Sequence, residues 1–589
     1  MKRSTILNYI LTATLIAGVN TSCKDYLDVN PVSSFGPDYV FSNVTNVNKA
    51  LLGVYSALGG DQGYGIRVSM YYPYDNDEMM GQGSTPYPDN ERRDIAHYSV
   101  QPSNTQLASP FNQMYTGIER ANLCIYYIPK MAQYEGGTAS EKKDLHRLYA
   151  EALTLRAQFY LELLRNWGDL PSQFQPSSFE TDLFKSKTDR DEIYDHVLAD
   201  LGEAADMLPW LGEAGATDNT RITQGAARAL RARIAFFRGG YALRKNKQME
   251  RAANYLDFYQ IAKDECNAII QKGVHKLNPS FKAVFKDALD AHRQEPNGEI
   301  IWEVGMTGGN SANGDSKLGY YNGPRWNNKG NGALTILPTF FYLFDENDTR
   351  RDVTCAPYDI NSDGTIVARS LANIVDGKFR RDWIVGPDAL KSEAQYFGVN
   401  WPMVRYSDVL LMFAEADNEI NHGPSNDAIT AFEQVRLRGF GGNSGLIGTT
   451  PTDYDGFFSA IMKERSLELG GEGMRKYDLI RWNRLASRLE ETKDALTAMA
   501  AGLPPYDNYP TTMYYKSGAT SLQWTNSLYE LQPASPPAGS TSIDWRGTGI
   551  TTTILTYYAI SFEANKSELF PIHTSIIDTN PKLTQDYGY

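Results

Sequence analysis

YAEALTLRAQFYLELLRNWG, residues 149–168, decides the fold class. Leu153, Ala157, Tyr160, Leu164 and Trp167 recur at steps of four and three, the spacing that puts side chains on one helical stripe. Gly168, with Pro171 beyond it, ends the run. The same spacing returns in QGAARALRARIAFFRGG (224–240) through Leu230, Ile234 and Phe237, and in DFYQIAKDECNAIIQKG (257–273) through Phe258, Ala262, Cys266 and Ile269. Helices paired across short polar turns at such intervals have the habit of tetratricopeptide-type repeats, whose apolar faces are covered only by stacking on neighbours. The expected fold is mainly α: tetratricopeptide-like helix pairs as a scaffold, with long loops and a few short strands.

Working outward, the second half mixes a strand candidate, EIIWEV (299–304), with Gly-, Asn- and Tyr-rich loops and further helices in 404–420 and 457–482. No linker separates the halves. The predicted organisation is a leader over 1–22, an N-terminal helical region over 23–300 and a C-terminal region over 301–589, packed together as one unit. The stretch from Gly502 to about Thr553 lacks periodicity but holds several Tyr and Trp residues, and reads as an ordered loop.

At the N-terminus, Lys2 and Arg3 precede the mostly apolar ILTATLIAGV (10–19), the layout of an export signal. The apolar stretch is about half of the roughly 20 residues a spanning helix needs. Thr21 and Ser22 lead into Cys23, which resembles the lipobox of bacterial lipoproteins. Cys23 is thereby expected to carry acyl chains that hold the protein on a membrane.

The chain has 589 residues, 42% hydrophobic and 22% charged, the composition of a folded body with a large core. A net charge of -13 opposes a phosphate backbone and argues against nucleic acid as a partner. Apart from Cys23, the cysteines Cys124, Cys266 and Cys355 form no close pair and are expected to be buried thiols. The 37 tyrosines, against 24 Phe and 9 Trp, suggest rings standing at a wet surface or a Tyr-rich core.

Several blocks together resemble the SusD/RagB family of nutrient-binding outer-membrane lipoproteins. They are CKDYLDVNP (23–31), YYPYDNDEM (71–79), RAQFYLELLRNWGDLP (156–171), RYSDVLLMFAEADNEI (405–420), AITAFEQVRLRG (428–439), ERSLELGGEGMRKYDLIRW (464–482) and LFPIHTSIIDTNPKLTQDYGY (569–589). They run in family order over nearly the whole chain. The resemblance implies four tetratricopeptide-like helix pairs and capture of oligosaccharides or other large nutrients outside the cell. It also implies association with a SusC-like TonB-dependent transporter in the outer membrane, without catalysis. No cofactor is implied.

Read for chemistry, Glu464, Arg465, Glu468, Arg475, Asp478 and Arg481 alternate in sign at helical spacing and predict ordinary exposed ion pairs. A sugar site needs flat aromatic faces ringed by amides, carboxylates and guanidinium groups, best carried on loops. Residues 64–93 offer Tyr71, Tyr74, Asp77, Tyr87 and Arg92, and residues 313–332 offer Tyr320, Tyr321, Arg325, Trp326 and Asn327. A third segment offers Tyr514, Tyr515, Trp524 and Trp545. Trp326, between Arg325 and Asn327, is the expected central anchor, with core packing as its competitor. Asp359, Asn361 and Asp363, before Gly364, have the spacing of a calcium loop, but Ser370 stands where its glutamate belongs, so the stretch reads as an Asp-Gly hairpin ahead of a calcium site. Nucleophile-elbow, Walker and dinucleotide signatures are absent. An exported helical glycosidase and a same-family binder of peptide or another non-sugar nutrient are the rival readings.

Overall fold

Local signals set the helices. In the computed structural model, which describes residues 36–82, 88–306, 308–386, 390–518 and 521–589, about 46% of the chain is helical. The main helices are α1 (Val44–Tyr55), α2 (Ala108–Tyr127), α3 (Ala139–Trp167), α4 (Arg190–Met207), α5 (Gln224–Gly239) and α6 (Tyr255–Lys272) in the first half. The second half adds α7 (Tyr406–Asn421), α8 (Asn426–Gly439), α9 (Tyr454–Leu469) and α10 (Leu485–Ala501). Helix α3 starts at a capping box, in which Thr138 N–H donates to Glu141 Oε2 (2.8 Å) and Glu141 N–H to Thr138 Oγ1 (3.3 Å). It ends at Gly168, whose φ of +77° few other residues tolerate.

From α2 to α8 each helix packs on the next, and α9 packs on α7. The contact of α6 with α7 joins the two halves, and one cluster of buried side chains runs from Val47 to Ile572. The stripe expected on α3 is exceeded: every residue from Ala150 to Trp167 is buried, because α1, α2 and α4 all lie against it. Its charged groups are matched inside, Arg156 to Asp200 at 2.7 Å and Arg165 to Glu162 at 2.8 Å. Part of the tyrosine excess goes into this core, with hydroxyls engaged: Tyr72 donates to Gln106 O (2.8 Å), Tyr477 to Asn166 Oδ1 (2.8 Å) and Tyr558 to Asn76 O (3.1 Å). Cys124, Cys266 and Cys355 are buried free thiols.

The charges of residues 464–482 correct the expectation of exposed pairs. Arg405 meets Glu299 and Glu468, each at 2.8 Å, and Glu472 at 2.7 Å; Arg350 meets Glu464 at 2.6 Å; Arg438 reaches Glu299 and Glu468. None of these side chains is more than 5% exposed. Because several helices converge there, each charge lost from water is replaced by opposite charges in hydrogen-bond geometry.

Strands serve as ties. β1 (Ile300–Val304) pairs antiparallel with β4 (Trp401–Arg405), while β2 (Tyr358–Ile360) and β3 (Ile366–Ala368) form a hairpin. The late aperiodic stretch is in fact a three-stranded sheet, with β5 (Thr512–Ser517) between β6 (Leu522–Trp524) and β7 (Thr541–Asp544). Four two-residue strands make a further sheet in the order Met79–Met80, Thr335–Ile336, Val375–Asp376, Cys355–Ala356. Its pair Met79↔Ile336 lays the segment after Tyr71 beside the segment after Tyr321.

Candidate functional site

The two loop segments chosen from sequence meet. Lys317 N–H donates to Gly65 O (3.1 Å), and Gln82 Nε2 to Asn331 Oδ1 (3.0 Å). Asn331 N–H donates to Tyr320 O (2.8 Å) and Ala333 N–H to Tyr321 O (2.7 Å), so the helical turn Leu318–Tyr321 is pinned from both sides. On it, Tyr320 and Tyr321 stand nearly perpendicular with centroids 5.3 Å apart, and Tyr321 meets Tyr71 edge to face at 6.4 Å. Tyr320 and Tyr321 are partly exposed, whereas Tyr71 shows 8% of its surface. Burial and the neighbouring Tyr321 push the Tyr71 hydroxyl up, so it stays protonated as a donor.

Guanidinium groups flank these rings. Those of Arg92 and Arg67 lie 5.9 and 6.0 Å from the Tyr71 centroid. Arg92 donates to Gln82 Oε1, and Arg67 to Gln106 Oε1 (3.0 Å) and Asp61 O (2.7 Å). Beneath Gly330, a site bordered by both Tyr320 O and Arg381 Nη1, the Arg381 guanidinium is buried, with Nε and Nη1 lacking a hydrogen-bond partner among the described residues. The result is a patch of perpendicular phenols, amides and cations, suited to stacking on a ring and donating to its oxygens.

Placement of the other candidates divides them. Tyr74 is corrected to the core: it is 1% exposed, packed under the loop. Asp77 is likewise structural, held by Arg475 through two 2.8 Å contacts and by Arg488 at 3.1 Å; burial alone would raise its carboxyl, and these arginines bring it below the usual range. Trp326 is corrected from anchor to packing residue, 8% exposed against Ala356, Tyr358, Ile360, Ile366 and Val375. The paired bonds Trp326 N–H to Lys329 O (3.0 Å) and Lys329 N–H to Trp326 O (2.7 Å) close a two-residue turn, with Asn327 at φ +45° and Asn328 at φ +62°. Two asparagines are there because this turn needs left-handed residues. Asn327 is exposed in that turn, and Arg325 is partly exposed with Asp359 at 3.4 Å. Tyr87 and Cys23 lie outside the described residues. In the late segment Trp545 is fully buried and Tyr515 nearly so, which removes them from any surface.

The calcium spacing gives way to the β2–β3 hairpin. Asp359 accepts from Arg325 N–H (2.8 Å) and faces Arg369 at 3.4 Å, Asp363 caps Thr365 N–H (2.9 Å), and Asn361 Nδ2 donates to Thr365 Oγ1 (3.0 Å). A carboxylate held between two guanidinium groups is poorly placed to take a cation. Among the described residues no group of three or more His, Cys, Asp or Glu is placed to hold a metal.

Arg67, Gln82, Asn331 and Arg381 were missed as candidates. The first three stand inside the aromatic segments and were legible there as polar neighbours of tyrosine; Arg381 carries no local signal.

A stack of helix pairs with long loops and a few short strands is the SusD-like class of fold. The chain is a SusD-like family protein: the model of the SusD family matches residues 373–589, and one described as "Starch-binding associating with outer membrane" matches residues 25–236. It is 27% identical over 524 residues to SusD-like protein P25 of Formosa agariphila, covering 82% of this chain and 92% of that one. Among solved structures, a SusD homolog from Bacteroides thetaiotaomicron superposes with a TM-score of 0.75 at 23% identity, over 94% of this chain and 98% of the other. Surface glycan-binding protein A of the same organism, solved with laminarihexaose, gives 0.62 at 17% identity, over 92% and 99%.

Proposed function

We propose that this protein binds a glycan at the outer-membrane surface on the face carrying Tyr320 and Tyr321, with Tyr71 packed edge to face behind Tyr321, and delivers it, without cleaving it, to a SusC-like TonB-dependent transporter. The observation that carries the reading is the junction of residues 67–82 with 317–331, which gathers perpendicular tyrosine rings, the Gln82–Asn331 amide pair and guanidinium groups into one patch. The relatives point the same way, since one solved structure of this fold holds laminarihexaose and another is a laminarin-binding SusD-like protein. Attachment through acylated Cys23 and an orientation toward the cell exterior belong to the same proposal. Lack of catalysis is supported by carboxylates that are already engaged: Asp61 binds Lys317 and the Tyr396 hydroxyl at 3.1 Å, and Asp77 binds Arg475 and Arg488.

Polysaccharide binding measured by affinity electrophoresis and calorimetry tests the reading. Tyr320→Ala is expected to weaken binding by about tenfold or more, the scale of a partly exposed aromatic contact, with an unchanged melting temperature. New reducing ends after incubation would replace binding by hydrolysis. Recovery without a barrel partner from native membranes in mild detergent would remove the transporter.

A further inference from the structure

The charge of the patch goes further than its shape. Most arginines of the helical scaffold meet carboxylates, Arg405, Arg438, Arg465, Arg475 and Arg481 among them. Around the tyrosine face the pattern is reversed. Arg67, Arg92 and Arg381 have no carboxylate partner among the described residues; their hydrogen bonds go to amide or carbonyl oxygens, the last being Arg381 Nη2 to Ser392 O at 2.9 Å. Neighbouring carboxylates are taken by other groups, Asp61 by Lys317 and Tyr396 and Glu91 by the Gln106 amide. A guanidinium stays charged in a protein, and each presents paired N–H groups in the spacing of two anionic oxygens. Buried Arg381, with two of its nitrogens unbonded, adds positive potential that little solvent screens.

Resting on the glycan-binding reading above, we propose that the glycan taken by this face is acidic, with ring carboxylate or sulfate groups pairing with Arg67 and Arg92 while its sugar faces lie on Tyr320 and Tyr321. Both kinds of anion offer a pair of delocalised oxygens to a guanidinium fork. The net charge of -13 opposes a polyanion only at long range. At physiological ionic strength charges beyond about 8 Å are largely screened, so the local excess of guanidinium governs the encounter.

The test is an array of polygalacturonate, alginate, carrageenan, laminarin and starch, with each acidic polymer printed beside its carboxyl-reduced or desulfated form. The expected result is binding to at least one acidic polymer, at least about tenfold weaker to its neutralised twin, and falling roughly tenfold or more between 50 and 500 mM NaCl. The carboxyl-reduced and desulfated arms identify which anion is read. The variants Arg67→Gln and Arg92→Gln are expected to shrink the preference for the acidic form to less than about threefold while any binding to the neutral twin persists. Equal affinity for an acidic polymer and its neutral twin, or binding to laminarin or starch alone, overturns the acidic specificity and leaves glycan binding standing. Failure to bind any polymer overturns the glycan reading itself and this inference with it.

Discussion

Arg405 and Glu468 meet at 2.8 Å in the interior, the one 1% and the other 0% exposed, and each has further partners of opposite charge. The side chains lie where α7, α8 and α9 converge with β4, so their pairing holds the second half of the scaffold together.

Glu468→Gln is the direct probe of that network. Arg405, Arg438 and Arg350 all draw on this carboxylate, which they hold well below its ordinary pKa against the opposing effect of burial. Removing one member of a buried set costs about 3–5 kcal/mol, because the remaining charges stay buried without it. Urea unfolding should show that loss, and a change under about 1 kcal/mol would mean that water or rearrangement satisfies the arginines.

Trp326→Ala is expected to act on stability first. The ring fills the small cluster with Tyr358, Ile360 and Ile366, so its loss should cost about 3 kcal/mol and lower the melting temperature. Glycan affinity, measured below the transition, should change by less than about threefold. An unaltered melting curve with strongly reduced binding would return Trp326 to the site.

Lys476 gives a pH dependence. It is 2% exposed, donates to Tyr72 O (3.1 Å) between the Tyr98 and Phe570 rings, and burial pulls it down to about 7 from 10.5. Between those values the unfolded chain binds the proton that the folded one lacks, so stability rises with pH across that window, by up to roughly 1.4 kcal/mol per unit. Comparing wild type with Lys476→Met at pH 7 and 9 isolates this group. The wild type should gain on the variant at pH 9; parallel changes would show a lysine titrating at its ordinary value.

Cys23→Ala should release the protein from the membrane in folded form. No helix among the described residues is long and apolar enough to cross a bilayer, and several acyl chains are what would hold the chain there. Retention in the membrane fraction after a carbonate wash would show another anchor.

Helices were legible in sequence wherever a stripe ran into a stop, as at Gly168 in 149–168, and the ordered family blocks named the architecture. Less legible was the degree of burial. A run such as Ala150–Trp167, with Glu151, Arg156, Glu162 and Arg165 in it, reads as amphipathic, yet every face is covered, because Arg156 finds Asp200 on α4 while Glu151 and Glu162 pair with Arg147 and Arg165 of α3 itself.

The sequence by itself determined where helices begin and end, the family, and the two segments that form the aromatic face, since capping, turn chemistry and periodicity act within a few residues. Only the tertiary structure decided which of the side chains in those segments remain at the surface. Asp77 is tied to Arg475 across 398 residues and Gln82 to Asn331 across 249, while Trp326 is covered by a hairpin more than 30 positions on. The environment of a loop side chain is set by whatever distant segment packs against it, and spacing along the chain carries no record of that partner.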